Sequence, residues 1–223
     1  MNNEYSIIEY YRRRAPEYEA IYGRLDSEIQ KENQETAEIL KQYFIGRKVL
    51  EVACGTGYWT QLLAKTAMDI TATDINKEVL DIAKQKKYKC PVSFQIMDAY
   101  QLAFEDNRFN AGLANFWFSH IPKNKINHFL SEFHRVLRPG SRVFFTDNHH
   151  KHLSDSLGPI KTKKEDKNTY KLRLLRDDSE YLVIKNYYTM KELVKIFSEH
   201  IKGFSELNVN FGKYFWRITY ELD

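Results

Sequence analysis

The sequence has little of what marks several classes of protein. Only two cysteines, Cys54 and Cys90, occur among its 223 residues, and they lie too far apart to form a metal-binding pair. No run approaches the roughly 18 apolar residues that a membrane helix requires. The start, Met1 to Glu4, lacks the basic and then apolar pattern of a secretory signal. These absences predict a cytoplasmic protein with no bound metal and no membrane partner.

The sequence also lacks a large excess of charge of one sign. The net charge of +4 and the pI near 8.8 fall short of the pI above ~9 and the clustered basic face of nucleic-acid-binding domains. The densest basic stretches, 84–89 and 161–167, are typical of a solvated helix end and a surface loop. We therefore expect no nucleic-acid partner, and a small, partly anionic molecule is favoured as substrate.

The most informative feature present is the segment from Val49 to Thr60. An apolar strand, Val49 to Val52, runs into a glycine-rich turn that opens a helix. Gly55 and Gly57 let the backbone approach a ligand where a side chain would collide. The free N–H groups at the start of the following helix face the same ligand. The segment predicts a pocket for a nucleotide-type cofactor.

Two residues argue against a dinucleotide. Thr60 stands where close helix packing in a dinucleotide site needs a third Gly or Ala. Glu51, near the end of the strand, would repel a pyrophosphate, but it suits a ligand that carries an ammonium and a sulfonium. S-adenosylmethionine (SAM) fits this requirement. Asp74 follows the first glycine by about 20 residues, where a carboxylate can bind both ribose hydroxyls, and the neighbouring Ile75 is placed to pack on adenine.

The chain at this point resembles the class I SAM-dependent methyltransferases. The stretch from Glu51 to Gly57 is similar to the first motif of that family, and Asp74 to Asn76 is similar to the second. Gln95 to Ala99 resembles the third, and Leu137 to Gly140 resembles a late turn before the fifth strand. The resemblance covers residues from about 47 to 147, and the order and spacing of the four motifs make it specific.

The resemblance implies roles for further residues. Asp98 would accept from the adenine amino group, and the backbone N–H of Ala99 would reach a ring nitrogen. Asn115 falls where the fourth motif of the family borders the methyl group. The N-terminal helix would fold over the cofactor as a lid, with Tyr11 near the methionine end of SAM.

Strands and helices alternate along the chain, which predicts an α/β protein with a Rossmann-like, doubly wound, mostly parallel sheet of seven strands. We expect one domain over 1–223, with an N-terminal helical lid at 1–46, in which Pro16 kinks or divides the first helix. The closing strands, 204–211 and 214–221, should be antiparallel. A β-hairpin at 169–185 belongs to an insertion, 150–187, that serves as a lid, a substrate wall or a dimer contact. The remaining predictions are strands at 48–52, 69–73, 92–96, 110–115 and 141–147, and helices at 27–44, 58–66, 77–87, 123–137 and 190–200.

The acceptor side of the site is predicted from residues after the fourth strand. His120 is the best candidate for a general base because its unperturbed pKa lies near neutrality, although it can equally line the pocket or cap a helix. Trp117 would form an aromatic wall. Arg14, on the first helix, would clamp a carboxylate, with Arg173 at a plausible pocket edge. His120, Trp117 and Arg14 are therefore the predicted substrate-binding residues.

A metal centre is the weaker interpretation of three histidines after the fifth strand. His149, His150 and His152 lack a carboxylate or cysteine that would complete a ligand set. The alternative is a loop at the mouth of the pocket.

The predicted function is methyl transfer by in-line displacement to a nitrogen, sulfur or oxygen of a small molecule. Residues 115–122, 147–148 and 168–187 resemble the methyltransferase portion of ovothiol-forming enzymes, which implies an amino-acid-like acceptor such as thiohistidine. Two alternatives stay open: a catalytically silent SAM-binding or interaction module, and an NAD-dependent oxidoreductase, which Thr60 and Glu51 disfavour. The sequence does not decide the oligomeric state, and a homodimer is possible.

Overall fold

The computed structural model describes residues 3–24, 26–149, 160–162 and 167–223. Within these ranges, ten strands lie in two sheets. In chain order they are β1 Lys48–Val52, β2 Asp69–Asp74, β3 Val92–Ile96, β4 Phe109–Asn115, β5 Leu137–Asn148, β6 Ile160–Thr162, β7 Thr169–Leu174, β8 Glu180–Ile184, β9 Val209–Phe211 and β10 Phe215–Glu221.

The first helix breaks where proline predicts it. The α-helix ends at Arg14, and a 3-10 helix, Ala15–Arg24, follows it. The change occurs there because Pro16 disfavours α-helical geometry at the residue before it. None of the helices within the described ranges is long and apolar enough to cross a membrane. The α-helices are α1 Asn3–Arg14, α2 Ser27–Tyr43, α3 Tyr58–Leu63, α4 Lys77–Lys84, α5 Ile126–Arg135 and α6 Met190–Ser198.

The main sheet has the strand order β3-β2-β1-β4-β5-β10-β9. Its first five strands are parallel, and β10 runs antiparallel between β5 and β9. The order reverses between β1 and β4, and ligands of such sheets bind outside the carboxyl ends of the strands at that point. The prediction of a doubly wound, mostly parallel seven-stranded sheet is confirmed.

Apolar side chains cover both faces of this sheet. Phe129 and Phe133 of α5 join Phe197 of α6 in one fully buried cluster. Leu40 of α2 and Leu63 of α3 belong to a second cluster. The helices that contribute these clusters lie on opposite faces, so the strand ends remain open for a ligand.

Two predicted boundaries are wrong. The late turn, 137–140, lies inside β5 as a bulge, because Leu137 pairs with Phe109 while Arg142 pairs with Ala111. Gly140 has a φ of +74°, a backbone conformation that glycine adopts without steric cost, and so allows the extra residues of the bulge. The strand predicted at 204–211 is formed only by its last three residues, because the side chain of Ser205 caps a 3-10 turn at Glu206–Asn208 and this local bonding competes with strand pairing.

The predicted hairpin is present as β7 and β8, and β6 adds a third antiparallel strand. Ile7 and Tyr10 of α1 pack with Val183 of this small sheet and with Leu175, which directly follows β7. Residues 150–159 and 163–166 of the predicted insertion lie outside the described residues. The contact with α1 favours a wall among the predicted roles of the insertion.

Candidate functional site

A cavity that is partly open to solvent lies at the carboxyl ends of β1, β2 and β4. Its walls include α1, through Ile7 and Ile8, and the end of β8, through Ile184. Nine of the predicted site residues border it: Tyr11, Gly55, Asp74, Ile75, Asp98, Ala99, Asn115, Trp117 and His120. Three do not: Arg14, Glu51 and Gly57.

The backbone after β1 and after β4 turns through an uncommon conformation. Ala53 has φ of 54° and Phe116 has φ of 56°, although left-handed geometry costs a non-glycine residue roughly 1–2 kcal/mol. Both residues border the cavity. The turn at Phe116 lets Asn115 and Trp117, on its two sides, border the same cavity. Strain held at two neighbouring strand ends is typical of a functional site.

Asn115 is the clearest sign of a missing partner. The residue is 8% exposed, yet neither Oδ1 nor Nδ2 of its side chain has a hydrogen-bond partner within the described residues. Leaving a buried polar atom unpaired costs about 1–3 kcal/mol. Because Asn115 borders the cavity, a ligand with both a donor and an acceptor would satisfy it.

Asp74 connects the end of β2 with the glycine turn. Its Oδ2 accepts from the Gly55 N–H at 3.0 Å, and its Oδ1 accepts from the Asn76 N–H at 2.9 Å. Burial raises the pKa of this carboxyl to about 6. These bonds fix the carboxylate at the cavity edge and leave it further lone pairs for the predicted ribose hydroxyls.

Glu51 lies inside the protein rather than on the cavity wall. The residue is 2% exposed, and its Oε2 lacks a partner among the described residues. Burial, reinforced by the charge of Asp74, raises the pKa of Glu51 to about 8. When no cation is bound nearby, the carboxyl is therefore largely protonated at neutral pH.

The two glycines of the turn differ in the space available for a side chain. A Cβ on Gly55 would meet nothing within 4 Å, whereas a Cβ on Gly57 would lie 2.7 Å from Oη of Tyr88 and 3.0 Å from Cβ of Ala83. Both have positive φ. The expectation that a Gly57 side chain would collide with the ligand is wrong, because it would collide with α4 and Tyr88 and disturb folding first.

Only part of the predicted lid borders the cavity. The 3-10 helix is tied to the glycine turn, since Thr56 Oγ1 donates to Glu19 at 2.6 Å and Glu19 also pairs with Lys86. In contrast, α2 packs toward β10, where Glu32 accepts from the backbone of Phe215 at 3.0 Å. Within the predicted lid at 1–46, the cavity-lining residues are Ile7, Ile8, Tyr11 and Tyr18.

His120 is buried, and both ring nitrogens are engaged. Nδ1 lies 2.6 Å from the carbonyl oxygen of Ile184, and Nε2 lies 2.9 Å from Oη of Tyr11. Burial, with the nearby Lys185 ammonium, lowers the pKa of His120 to about 3. A general base works best when its pKa is near the operating pH. The geometry therefore favours the pocket-lining alternative for His120 over the base.

A buried polar network that sequence reasoning missed holds the loop containing His120. Nζ of Lys185 donates to Oδ1 of Asp147 at 2.9 Å and to Oγ of Ser119 at 2.7 Å. Oδ2 of Asp147 accepts from the Ser119 N–H at 2.8 Å, and the Asn186 N–H donates to the Ser119 carbonyl at 2.7 Å. The pair joins β5 to the segment after β8 across 38 residues, and no local spacing rule indicates such a pairing.

The predicted arginine clamp is not at the cavity wall. Arg14 donates to Oη of Tyr10 at 2.8 Å and stacks over Tyr18. Lys125, which sequence reasoning missed, is the cationic side chain among the described cavity-lining residues, and it stands 4.8 Å from the ring centre of Tyr100. Its position in a lysine-rich turn before α5 gave no signal.

The histidines after β5 show no metal-binding arrangement in the part of the chain that the structure describes. No group of three His, Cys, Asp or Glu side chains is placed to hold an ion there. His149 packs edge-on against Phe211. His150 and His152 lie outside the described residues.

Comparisons with known proteins agree with the fold and with the glycine turn. Residues 49–140 match the family model described as a methyltransferase domain. The chain is 35% identical to the demethylmenaquinone methyltransferase of Staphylococcus aureus over 102 residues. These residues make up 44% of this chain and 42% of that protein. The chain therefore spans less than half the length of these curated relatives.

Solved structures are similar over nearly the whole chain. A complex of DhpI with SAM and HEP has a TM-score of 0.79 at 24% identity, covering 97% of this chain and 96% of that one. The PH0226 protein of Pyrococcus horikoshii has a TM-score of 0.68 at 19% identity, covering 89% and 92%. At such identities the likeness shows the fold.

Residues 49–140 are similar to a methyltransferase domain, and nearly the whole chain shares the fold of a protein solved in complex with SAM. The matched residues, 49–140, include the glycine turn and Asn115, whereas the cavity-lining residues Tyr11 and Ile184 lie outside them.

Proposed function

We propose that the protein transfers a methyl group by in-line displacement from SAM to a nitrogen, sulfur or oxygen of a small-molecule acceptor. When bound, SAM supplies an electrophilic methyl group on a sulfonium. The observation that carries the proposal is the unpartnered amide of Asn115 at the sheet switch point. Gly55, open beside the cavity, and the fixed carboxylate of Asp74 support it.

The residues around the cavity have distinct tasks in this proposal. Asp74 would hold the ribose, Ile75 and Ala99 would enclose the adenine with Asp98 at its amino group, and Asn115 would bind the amino-acid end. Side chains of α1 would exclude water from the reacting atoms, which strengthens polar interactions inside. The chain needs to align two ligands more than to supply reactive groups.

For the acceptor we propose a planar or amino-acid-like molecule, with a histidine-derived compound such as thiohistidine as the specific lead. Tyr11, Tyr100, Phe116 and Trp117 give the cavity aromatic walls, and such faces orient planar rings. Lys125 supplies a positive charge for an anionic group. The name of the curated relatives, demethylmenaquinone methyltransferase, also suggests a ring-bearing acceptor.

Isothermal calorimetry tests cofactor binding directly. We expect SAM and its demethylated product to bind the wild-type protein, and Asp74→Ala to weaken SAM binding by about 1.5–3 kcal/mol, the range for hydrogen bonds to charged groups. Ile39→Ala is a matched control, because Ile39 is 41% exposed on α2 and does not border the cavity.

Failure of both ligands to bind folded protein would contradict the proposal. Equal affinity of Asp74→Ala and wild type would contradict the assignment of Asp74. Incubating a metabolite extract with isotopically labelled SAM, followed by mass spectrometry, separates an enzyme from a silent binding module, since a silent module labels no product.

Glu51 gives the binding reaction a pH dependence. The folded pKa of about 8 lies above the unfolded value near 4.5. The protonated carboxyl therefore favours folding below pH 4.5, and this stability is lost as pH rises through 8. A cation bound in the cavity beside Val52 and Ala53, the lining residues that follow Glu51 in the chain, would lower that pKa. We expect SAM binding at pH 7 to release a proton, measured as a heat that changes with the ionisation enthalpy of the buffer.

Glu51→Gln is the control, because it keeps the shape and removes the titrating group. Its binding heat should not depend on the buffer. Asp74, with a pKa of about 6, is mostly ionised at pH 7 and contributes little. A wild-type heat that is equal in phosphate and Tris would overturn the prediction.

A further inference from the structure

The hydrogen bonds of His120 determine where the proton of Tyr11 lies. Nδ1 of His120 faces the carbonyl oxygen of Ile184 at 2.6 Å, and a carbonyl oxygen can only accept. Nδ1 therefore carries the hydrogen. A neutral imidazole has one N–H, so Nε2 is a bare acceptor. The O–H of Tyr11, at 2.9 Å, must donate to it.

This assignment of one hydrogen to Nδ1 and none to Nε2 holds only while the imidazole is neutral. The surroundings of His120 keep it neutral. His120 is 5% exposed. Lys185, which follows β8, and Arg173 of β7 oppose its protonation, while Asp147 of β5 favours it. Burial and the two cations outweigh Asp147, and the pKa of His120 falls to about 3. Tyr11 stays protonated as well, because burial raises its pKa far above the ordinary value.

We propose that His120 makes the Tyr11 oxygen an obligate hydrogen-bond acceptor in the cavity, so that the methyl acceptor must present an N–H or O–H to it. The single proton of Tyr11 is already directed at Nε2 of His120, and only lone pairs remain for a ligand. Tyr11 and His120 both border the cavity, as does Gly55 of the glycine turn. An anion or a carbonyl oxygen placed there would face a lone pair and be rejected.

The inference deepens the proposed function and rests on it for the identity of the ligand. In this role Tyr11 selects the acceptor molecule instead of binding the methionine end of SAM, the role that the family resemblance implied, and His120 is a positioning residue that acts through Tyr11. A site that hydrogen-bonds one polar hydrogen discriminates strongly against analogues that lack it.

Nitrogen-15 NMR of histidine-labelled protein tests the proton count without cofactor or turnover. At pH 7.5 we expect His120 to show a protonated Nδ1 and an unprotonated Nε2. In Tyr11→Phe the Nε2 signal should move because its donor is lost, while Nδ1 stays protonated. A hydrogen on Nε2, or on both nitrogens, would overturn the inference, whereas failure of SAM to bind would overturn only the proposed function.

Specificity is tested with imidazole and 1-methylimidazole, both neutral at pH 8.5, in the presence of S-adenosylhomocysteine. Imidazole offers an N–H, and its methyl derivative does not. We expect imidazole to bind about fivefold more tightly to wild type, and this ratio to disappear in Tyr11→Phe. Equal binding to wild type, persistence of the ratio in Tyr11→Phe, or failure of imidazole to bind would each contradict the inference.

Discussion

Replacing Lys185 with Met is expected to lower the free energy of unfolding by about 3–5 kcal/mol, the cost of leaving a buried charge without its partner. The side chains of Lys185 and Asp147 are 5% and 0% exposed. Without the ammonium, the Asp147 carboxylate would keep only its bonds from Ser119 and Asn148. Urea denaturation followed by circular dichroism measures the loss.

Two further variants make this prediction specific. The double variant Lys185→Met with Asp147→Leu should recover most of the stability, because removing both charges of a buried pair is often neutral. Lys77→Met breaks an exposed pair with Asp81 and should cost less than about 1 kcal/mol. If Lys185→Met costs no more than Lys77→Met, the buried pair is not what holds the loop around Ser119.

Tyr11→Phe is expected to lower turnover by a factor on the order of 10², the cost of misplacing a bound reactant by about 1 Å. The phenyl ring keeps the packing against His120 and Tyr18 and loses only the oxygen that orients the acceptor. Turnover is measured with the acceptor identified by isotopic labelling, and SAM affinity should stay within about twofold because Tyr11 acts on the acceptor.

His120→Gln separates the two roles considered for His120. A glutamine amide has both a donor for the Ile184 carbonyl and an acceptor for the Tyr11 O–H. If His120 positions Tyr11, turnover should remain within about tenfold of wild type across pH 6 to 9. A loss on the order of 10²–10⁴, as expected for removal of a general base, would instead restore the base that the sequence suggested.

The convergence of the predicted cofactor residues on one cavity could be predicted from the sequence because they lie at the ends of consecutive strands. Asp74 and Asn115 end strands of one parallel sheet, Gly55 and Asp98 follow strands of the same sheet, and the carboxyl ends of such strands meet at one edge. The order of elements along the chain therefore places these residues together. The role of Gly57 was misjudged because its close neighbours, Tyr88 and Ala83, belong to another helix.

The acceptor half was harder to predict because long-range contacts set its chemistry. An isolated histidine titrates near neutrality, so the sequence favoured a base at His120. In the fold, the Ile184 carbonyl and Lys185 arrive from an inserted sheet and make the imidazole a neutral acceptor. Arg14 was misassigned for a similar reason, since Tyr10 and Tyr18 surround its guanidinium.

The sequence by itself determined the sheet, the cofactor turn and the class of ligand, because these depend on hydrophobic periodicity, glycine geometry and the order of strands, which are local properties. The tertiary structure alone decided the protonation of His120, the partner of Asp147 and the residues proposed to face the acceptor. Those depend on desolvation and on hydrogen bonds between residues far apart in the chain, such as Tyr11 and His120, 109 positions from each other.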